Sequence, residues 1–297
     1  MLENESLPDL APQPYYRFRK AAVLVGVILP FVATLYAIVL LWNRYVSWWD
    51  LAIFAVMYVI CGLGITIGYH RMLTHNGFQS HPAVRFMWLA MGSMAVESGA
   101  LTWATTHLKH HAHSDKEGDP HSPLEGLWHA HMGWIIDGWS IEPKTYGPWL
   151  LQDKMVMFFE RTFLLWLTVG LVIPYMLGGW TGLLWGGLVR IFFVHHITWS
   201  VNSVCHMFGN RMFNTKDVSR NNWLVGLLAF GEGWHNNHHA FPRSALHGMR
   251  WWQVDISAYV IRLMGRLGLV WDIQRVTEEQ MARKLVRREE ELDRMTA

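Results

Sequence analysis

Four stretches of the chain stay apolar long enough to cross a bilayer. A helix needs about 20 mainly apolar residues to span the hydrocarbon. Residues 21–42 ("AAVLVGVILPFVATLYAIVLLW") meet that requirement, and Pro30 is tolerated inside such a helix. Residues 49–70 form a second run that ends on His70. Residues 162–177 and 181–201 form a third and a fourth, joined by "GGW", a tight turn between antiparallel helices. One further stretch, residues 86–103 ("FMWLAMGSMAVESGALTW"), is apolar but carries Glu97 and several small residues. If it crossed, the polar segments on either side of it would lie about 30 Å apart. It is therefore expected to be an interfacial or re-entrant helix.

The polar positions complete the layout. The opening "MLENESLPDLAPQPYY" is acidic and contains proline, unlike a signal peptide, and residues 1–20 are expected to be a disordered lead-in. Residues 256–297 are expected to form helices, and the tail "VTEEQMARKLVRREEELDRM" has Glu/Arg pairs at helical spacing. Arg17, Arg19 and Lys20 flank the first run, whereas its far loop carries only Arg44. Positive residues stay inside, so the N-terminus is expected in the cytoplasm, and four spans return the C-terminus to the same side. The pattern thus predicts an all-α integral membrane protein with four transmembrane helices, a membrane domain over 21–255 and a cytoplasmic helical cap. A bacterial inner membrane is the expected setting.

Composition agrees with lipid surroundings. The 297 residues are 52% hydrophobic and only 16% charged, against roughly a quarter charged in soluble domains. The 18 Trp suit the water–hydrocarbon boundary, where an indole ring is apolar and its N–H wet. Mean hydropathy is only +0.12, so sizeable segments must lie outside the membrane. A net charge of +2, with no basic stripe interleaved with stacking aromatics, gives no sign of nucleic acid binding. Cys61 and Cys205 both sit in apolar runs and are expected to be buried thiols rather than a disulfide or a thiolate site.

Histidine changes the picture. Of 17 histidines, nine fall into four groups: His70 and His75 in "HRMLTH"; His107, His110 and His111 in "HLKHH"; His206, preceded by Asn202; and His235, His238 and His239 in "HNNHH". Each HxxHH places rings at i, i+3 and i+4 on one helical face. Two such faces can surround a metal pair with imidazole nitrogen. His70 and His75 lie about 140° apart round a regular helix, which suits a helix end or two different metals better than one chelate. All four groups fall on the predicted cytoplasmic side, so they are expected to make one site at the membrane surface. His195 shares a stripe with Asn202 and His206 but lies over two turns deeper; it and His121 are candidates only for a supporting role. His81, His113, His129, His131 and His247 are expected in loops or interfaces. Gly231 and Gly233 are expected to turn the chain into the last histidine helix, and Pro242 to end it. Asn236 and Asn237 are assigned no metal role.

Imidazole suits zinc, copper, iron and nickel alike. Structural zinc takes four ligands, and nine histidines are too many for one such ion. Two redox metals beside hydrocarbon suggest oxygen chemistry on a lipid, because an acyl methylene has neither an acidic proton nor a leaving group. A transporter or metal store would need polar residues along its spans. Glu97, Arg190, His195 and His196 are too few for a path through four helices.

The order HxxxxH, HxxHH, HxxHH, with spans between, resembles the integral-membrane fatty acid desaturases. "TWSVNSVCHMFG" and "GEGWHNNHHAFPRSALHGMRWWQVD" look like the delta-9 acyl desaturase branch, which is similar over about residues 50–255. The resemblance implies two Fe ions held by the nine grouped histidines, Asn202 holding a metal-bound water, and a cis double bond inserted with O2 and two electrons. It also implies a substrate tunnel shaped by Trp103, Thr198 and Trp199. A hydroxylase or decarboxylase on the same scaffold is the alternative outcome of the same first hydrogen abstraction. The chain departs from the acyl-CoA members at Thr105 and Thr106, and at Glu97 and Ser98, where those members grip the CoA head group or carry a Gln-Asn pair. The fatty acyl carrier is left as CoA bound by other residues (Lys109, Arg211, Lys216, Arg220, Arg243 and Arg250 are candidates), a membrane lipid, or acyl carrier protein. With no fused cytochrome b5 and no Fe–S cysteine pattern, electrons are expected from a separate donor such as ferredoxin or cytochrome b5.

Overall fold

A computed structural model of the chain describes residues 13–42 and 46–286. It is mostly helical. Three helical stretches are long and apolar enough to cross a membrane: Lys20–Leu41, Trp48–Thr74 and Phe163–Met207. The third contains the two runs expected as separate spans. Gly179 breaks it with φ +59° and ψ −143°, a conformation that glycine adopts without strain. The chain reverses there. A Cβ on Gly182 would lie 2.3 Å from the Pro174 carbonyl oxygen, and the Arg190 guanidinium donates to the carbonyl of Gly170 at 3.1 Å. The two arms therefore run antiparallel in contact, as "GGW" predicts.

The first helix, Gln13–Trp42, begins eight residues before its apolar run. Part of the lead-in expected to be disordered is thus helical, while residues 1–12 lie outside the described residues. Most large side chains from Val25 to Leu41 are exposed, a surface that needs apolar surroundings. The second helix opens on a capping box, Ser47 and Asp50 bonding reciprocally. After Leu63 it widens into a π-helix, Gly64–Thr74.

The single helix expected over 86–103 is instead two, Pro82–Ser93 and Ala100–His113, separated by an irregular turn with positive φ at Val96 and Ser98. The turn is possible because its backbone is satisfied from outside. The buried Arg190 donates to the Met94 carbonyl at 2.6 Å, and His195 Nε2 lies 3.0 Å from the Val96 carbonyl. Glu160 accepts from the amides of Leu101 and Thr102, capping the second helix. Irregular backbone in apolar surroundings survives only where protein groups satisfy it in this way. His195 is thus committed to the turn rather than to the histidine groups.

Beyond Met207 the chain forms short helices, Trp223–Leu228, His235–Ala240, Ile256–Arg266 and Glu278–Lys284. A two-residue antiparallel pairing of Gln79–Ser80 with Val270–Trp271 ties this region back to the second helix. The continuous tail helix expected from Glu/Arg spacing stops at Lys284, where Leu285 bridges to Phe213; residues 287–297 lie outside the described residues. Cys61 and Cys205 are buried free thiols.

Candidate metal centre

The histidines come together because each sits at the end of an element that packs on the others. His70 and His75 lie on the π-helix, where the backbone bond runs from i to i+5: the His75 amide donates to the His70 carbonyl at 3.1 Å. Five residues therefore make about one turn. The two rings face one another with centroids 4.8 Å apart. The 140° separation expected for a regular helix is corrected by this local widening.

Two groups form side by side. His70, His75, His107, His111 and His238 bring five ring nitrogens within 4.8 Å of one another, and His110, His206, His235 and His239 bring four. Each HxxHH divides its rings in the same manner. The i and i+4 members, 107 with 111 and 235 with 239, stay together, while the i+3 member crosses to the other group. Both faces thus contribute to both clusters.

His110 Nδ1 lies 2.9 Å from Asp119, and His239 Nδ1 lies 2.8 Å from Asp217, so both place an Nδ1–H on a carboxylate and aim Nε2 inward. Their Nε2 atoms nevertheless face each other at 3.4 Å. Two nitrogens so placed need a shared cation between them, a proton or a metal ion. Imidazole nitrogens bind a divalent ion at about 2.0–2.1 Å, so two ligands of one ion lie about 3.0 Å apart at a right angle and about 3.4 Å at the tetrahedral angle. The other close pairs match: 3.1 Å for His70–His238, 3.0 Å for His75–His107 and His107–His111, 2.9 Å for His111–His238 and 3.0 Å for His206–His235. The donor set fits two metal ions.

Behind the imidazoles stand carboxylates that the spacing of histidines did not reveal. Glu232 holds His70 Nδ1 at 2.6 Å and Asp115 holds His206 Nδ1 at 2.9 Å, alongside Asp119 and Asp217. Such partners fix the tautomer and aim Nε2. Burial alone would raise the Asp119 and Asp217 carboxyls, but their histidines outweigh it and hold both below the usual range. Burial, and then the neighbouring imidazoles, pushes His107, His111, His235 and His238 well below the ordinary histidine value, so they are neutral at physiological pH. Neutral rings keep their lone pairs available for a metal.

Residues 46–271 match the family described as fatty acid desaturase. The chain is 37% identical to a hex-5-enoyl-[acyl-carrier protein] acetylenase of Moorena producens, over 86% of this chain and 87% of that protein. It is 39% identical to an sn-1 stearoyl-lipid 9-desaturase of Anabaena variabilis, over 79% and 87%. It is also 39% identical to an acyl-CoA C20 Delta5-desaturase of Anemone leveillei, over 86% and 83%. The chain belongs to the fatty acid desaturases. It is an oxidoreductase of fatty acyl chains, as the histidine order implies. Position and carrier vary among the names of these relatives, so membership alone does not fix them.

The desaturase carries a cleft that descends on both histidine groups. Tyr58, Ile65, Val194, Ile197, Val201 and Phe230 make its walls apolar, and His70, His107, His235, Glu232 and Asn202 lie along it. Val194, Ile197, Thr198, Val201 and Asn202 fall at i, i+3, i+4, i+7 and i+8, one stripe of the helix Arg190–Met207. Trp103 and Thr198 line this cleft, and Trp103 stacks on His107 with centroids 5.2 Å apart. Trp199, expected beside them, is turned off the stripe by one residue and packs on His131, His195 and His196.

His247, expected in a loop or interface, is fully buried, 3.2 Å from Glu232 and ring to ring with His238 at 4.6 Å. Its only signal was its place in the stretch that carries the family likeness. His121 lies 3.7 Å from Asp119 behind His110, a supporting position. His81, His113, His129 and His131 contact Trp271, Tyr146, Glu125 and Ser203 respectively, outside the two groups. Asn236 and Asn237 hold the histidine helix in place: Asn236 accepts from the amides of Met212 and Phe213, and Asn237 donates to the His247 carbonyl. Gly231 has φ +114°, which favours glycine at the entry to that helix. Lys109, a candidate anion contact, is paired with Glu142 at 2.6 Å.

Glu97 reaches the cleft from the irregular turn. It accepts from Trp103 Nε1 at 3.1 Å and bonds Thr198. Burial raises its pKa to about 7, against these two hydrogen bonds, which lower it. A folded-state value above the unfolded one means that the bound proton stabilises the fold at low pH, and that this is lost as pH rises from about 4.5 to about 7. Glu97→Gln removes that titration. Its melting temperature relative to the parent protein is expected to climb between pH 5 and 7 and level off above. A difference that stays flat with pH would show that Glu97 does not titrate in this range.

Proposed function

We propose that this desaturase holds two iron ions, one in each histidine group, and inserts a cis double bond at the delta-9 position of a saturated acyl chain. The observation that carries the reading is the pair of side-by-side groups, of five and four imidazole nitrogens, whose members His70, His107 and His235 line an apolar cleft. The proposed ligands are His70, His75, His107, His110, His111, His206, His235, His238 and His239. The stearoyl-lipid 9-desaturase relative supports the position of the bond. In the balanced reaction, two adjacent methylenes lose two hydrogens, and O2, two electrons and two protons complete two waters.

Bound iron supplies the activation of dioxygen that an unreactive methylene requires. The chain's own residues supply the rest. Tyr58, Ile197, Val201 and Phe230 exclude water and hold the acyl chain by burial. Trp103 and Thr198, joined through Glu97, narrow the cleft beside His107, which limits how far the chain slides before a given carbon pair meets the histidines. Asn202, one turn from His206, is assigned a metal-bound water. Glu232, Asp115, Asp119 and Asp217 keep their histidines aimed. Four spans under a cytoplasmic cap, with residues 21–255 as the membrane domain, complete the proposal. Electrons come from a separate protein such as ferredoxin or cytochrome b5, and the acyl chain arrives on CoA, a lipid or acyl carrier protein.

The test is expression in a desaturase-deficient host, followed by gas chromatography of fatty acids with double-bond location. A new cis monoene at carbon 9 is expected. Monoenes at another carbon would correct the position alone. Hydroxylated chains, or an unchanged profile with membrane-inserted, iron-loaded protein, would reject desaturation at this site.

A further inference from the structure

Beyond the spans, the C-terminal third exposes apolar side chains that a water-facing cap would not carry. The helix Ile256–Arg266 buries Ser257, Ala258, Ile261 and Met264 on one stripe. Its opposite face shows Tyr259 at 50%, Leu263 at 54% and, just past its end, Leu267 at 65% exposure. Arg262 and Arg266 run alongside them at i, i+4 spacing. Just before this helix, Trp251 and Trp252 are 89% and 56% exposed. The helix Trp223–Leu228 likewise turns Trp223, Leu224 and Leu227 outward.

Charge selects the occupant. Between residues 250 and 271 the only acid is Asp255, which is buried against Arg71 at 3.0 Å. Arg262 and Arg266 are exposed and Arg250 is half-buried, and none of the three has an ion-pair partner among the described residues. Leucine and aromatic side chains flanked by unpaired arginines match a helix lying in the headgroup layer of an anionic leaflet. The two short helices bearing this surface pack directly on the second apolar helix and its π-helical extension. Thr66 Oγ1 and Ser257 Oγ lie 2.8 Å apart, and Tyr58 donates to the Leu228 carbonyl at 2.8 Å.

We propose that Trp223–Leu228, Trp251–Trp252 and Ile256–Arg266 form a seat that docks the cap on a bilayer surface containing anionic lipid. The cleft is lined by Leu228, Ala229 and Phe230 at the edge of this seat, so docking holds its wall at the depth of the acyl chains. The seat rests on exposure and charge, independently of the metal assignment.

The experiment uses the full chain in nanodiscs of phosphatidylcholine with increasing phosphatidylglycerol. A small fluorophore is attached to Leu227→Cys, Leu263→Cys or, as a control in an exposed loop, Lys116→Cys; the native cysteines are buried. Quenching by lipid labelled near the headgroup is expected to be several-fold stronger at 227 and 263 than at 116, with iodide showing the reverse order. Quenching at 263 is expected to grow with phosphatidylglycerol, and the growth to vanish in Arg262→Glu/Arg266→Glu. Iodide access at 263 equal to that at 116 would overturn the seat. Cross-linking of Leu263→Cys between two copies in place of lipid quenching would assign the face to a dimer instead. Quenching independent of phosphatidylglycerol would remove the anionic-lipid part of the proposal.

Discussion

Replacing His238 with alanine is expected to leave the helices inserted but to empty the five-nitrogen group and abolish desaturation. His238 Nε2 touches both His70 and His111, so its loss removes a nitrogen from the middle of the group rather than from its rim. Loss of a supporting partner alone costs about 10–100-fold in metal affinity, and loss of a direct ligand should cost at least that. His235→Ala is the matched experiment on the four-nitrogen group, where His235 meets His206 at 3.0 Å. Each variant is expected to lose one of the two proposed ions in preference to the other, although the residues stand only three apart. The double variant is expected to lose both. Metal content by mass spectrometry and double-bond formation in the same membranes check this. Full metal content with full activity in either variant would remove that residue from the site.

The second large effect is expected at Glu232, which lies behind the metal centre. Its carboxylate is shared by His70, Arg71 and His247, all buried. Burial would raise its pKa, but His70, His247 and Arg71 outweigh it and hold it well below the ordinary range, so it is ionised. Glu232→Ala strands the Arg71 guanidinium with only Asp255 as a carboxylate partner. Breaking a buried pair in this way costs about 3–5 kcal/mol. It also frees His70 Nδ1, so metal affinity is expected to fall by about 10–100-fold. Glu232→Gln keeps a hydrogen-bond acceptor but loses the charge, and is expected to fall between the parent and the alanine variant in both properties. Thermal unfolding in detergent and competitive metal titration separate the two effects. Alanine and glutamine variants that melt and bind metal like the parent would mean that Glu232 is not the brace inferred from its contacts.

Much of this was legible in the linear chain, for identifiable reasons. Apolar length is a property of consecutive residues, so the runs that begin at 21 and 49, and the reversal at "GGW", could be read directly. The nine histidines were legible because HxxHH is a local helical spacing and its repetition is improbable. The break at Met94–Gly99 was not, because an apolar stretch with one glutamate looks the same whether or not a distant arginine satisfies its carbonyls. Arg190, 96 positions away, decides that. Trp199 was expected in the cleft from likeness alone, whereas the phase of its helix turns it aside.

The sequence by itself therefore determined the membrane-embedded helical class, the family and the nine imidazoles, since each depends on residue type and short-range spacing. Only the tertiary structure decided how those imidazoles are shared. The i+3 ring of each HxxHH crosses to the opposite group, and a π-helical turn brings His70 and His75 together. Four carboxylates, from 9 to more than 90 positions along the chain from the rings they hold, stand behind them. The physical reason is that a metal site is defined by directions of lone pairs. Those directions are set by helix phase, backbone widening and hydrogen bonds between distant residues, such as Arg71 and Glu232, 161 positions apart.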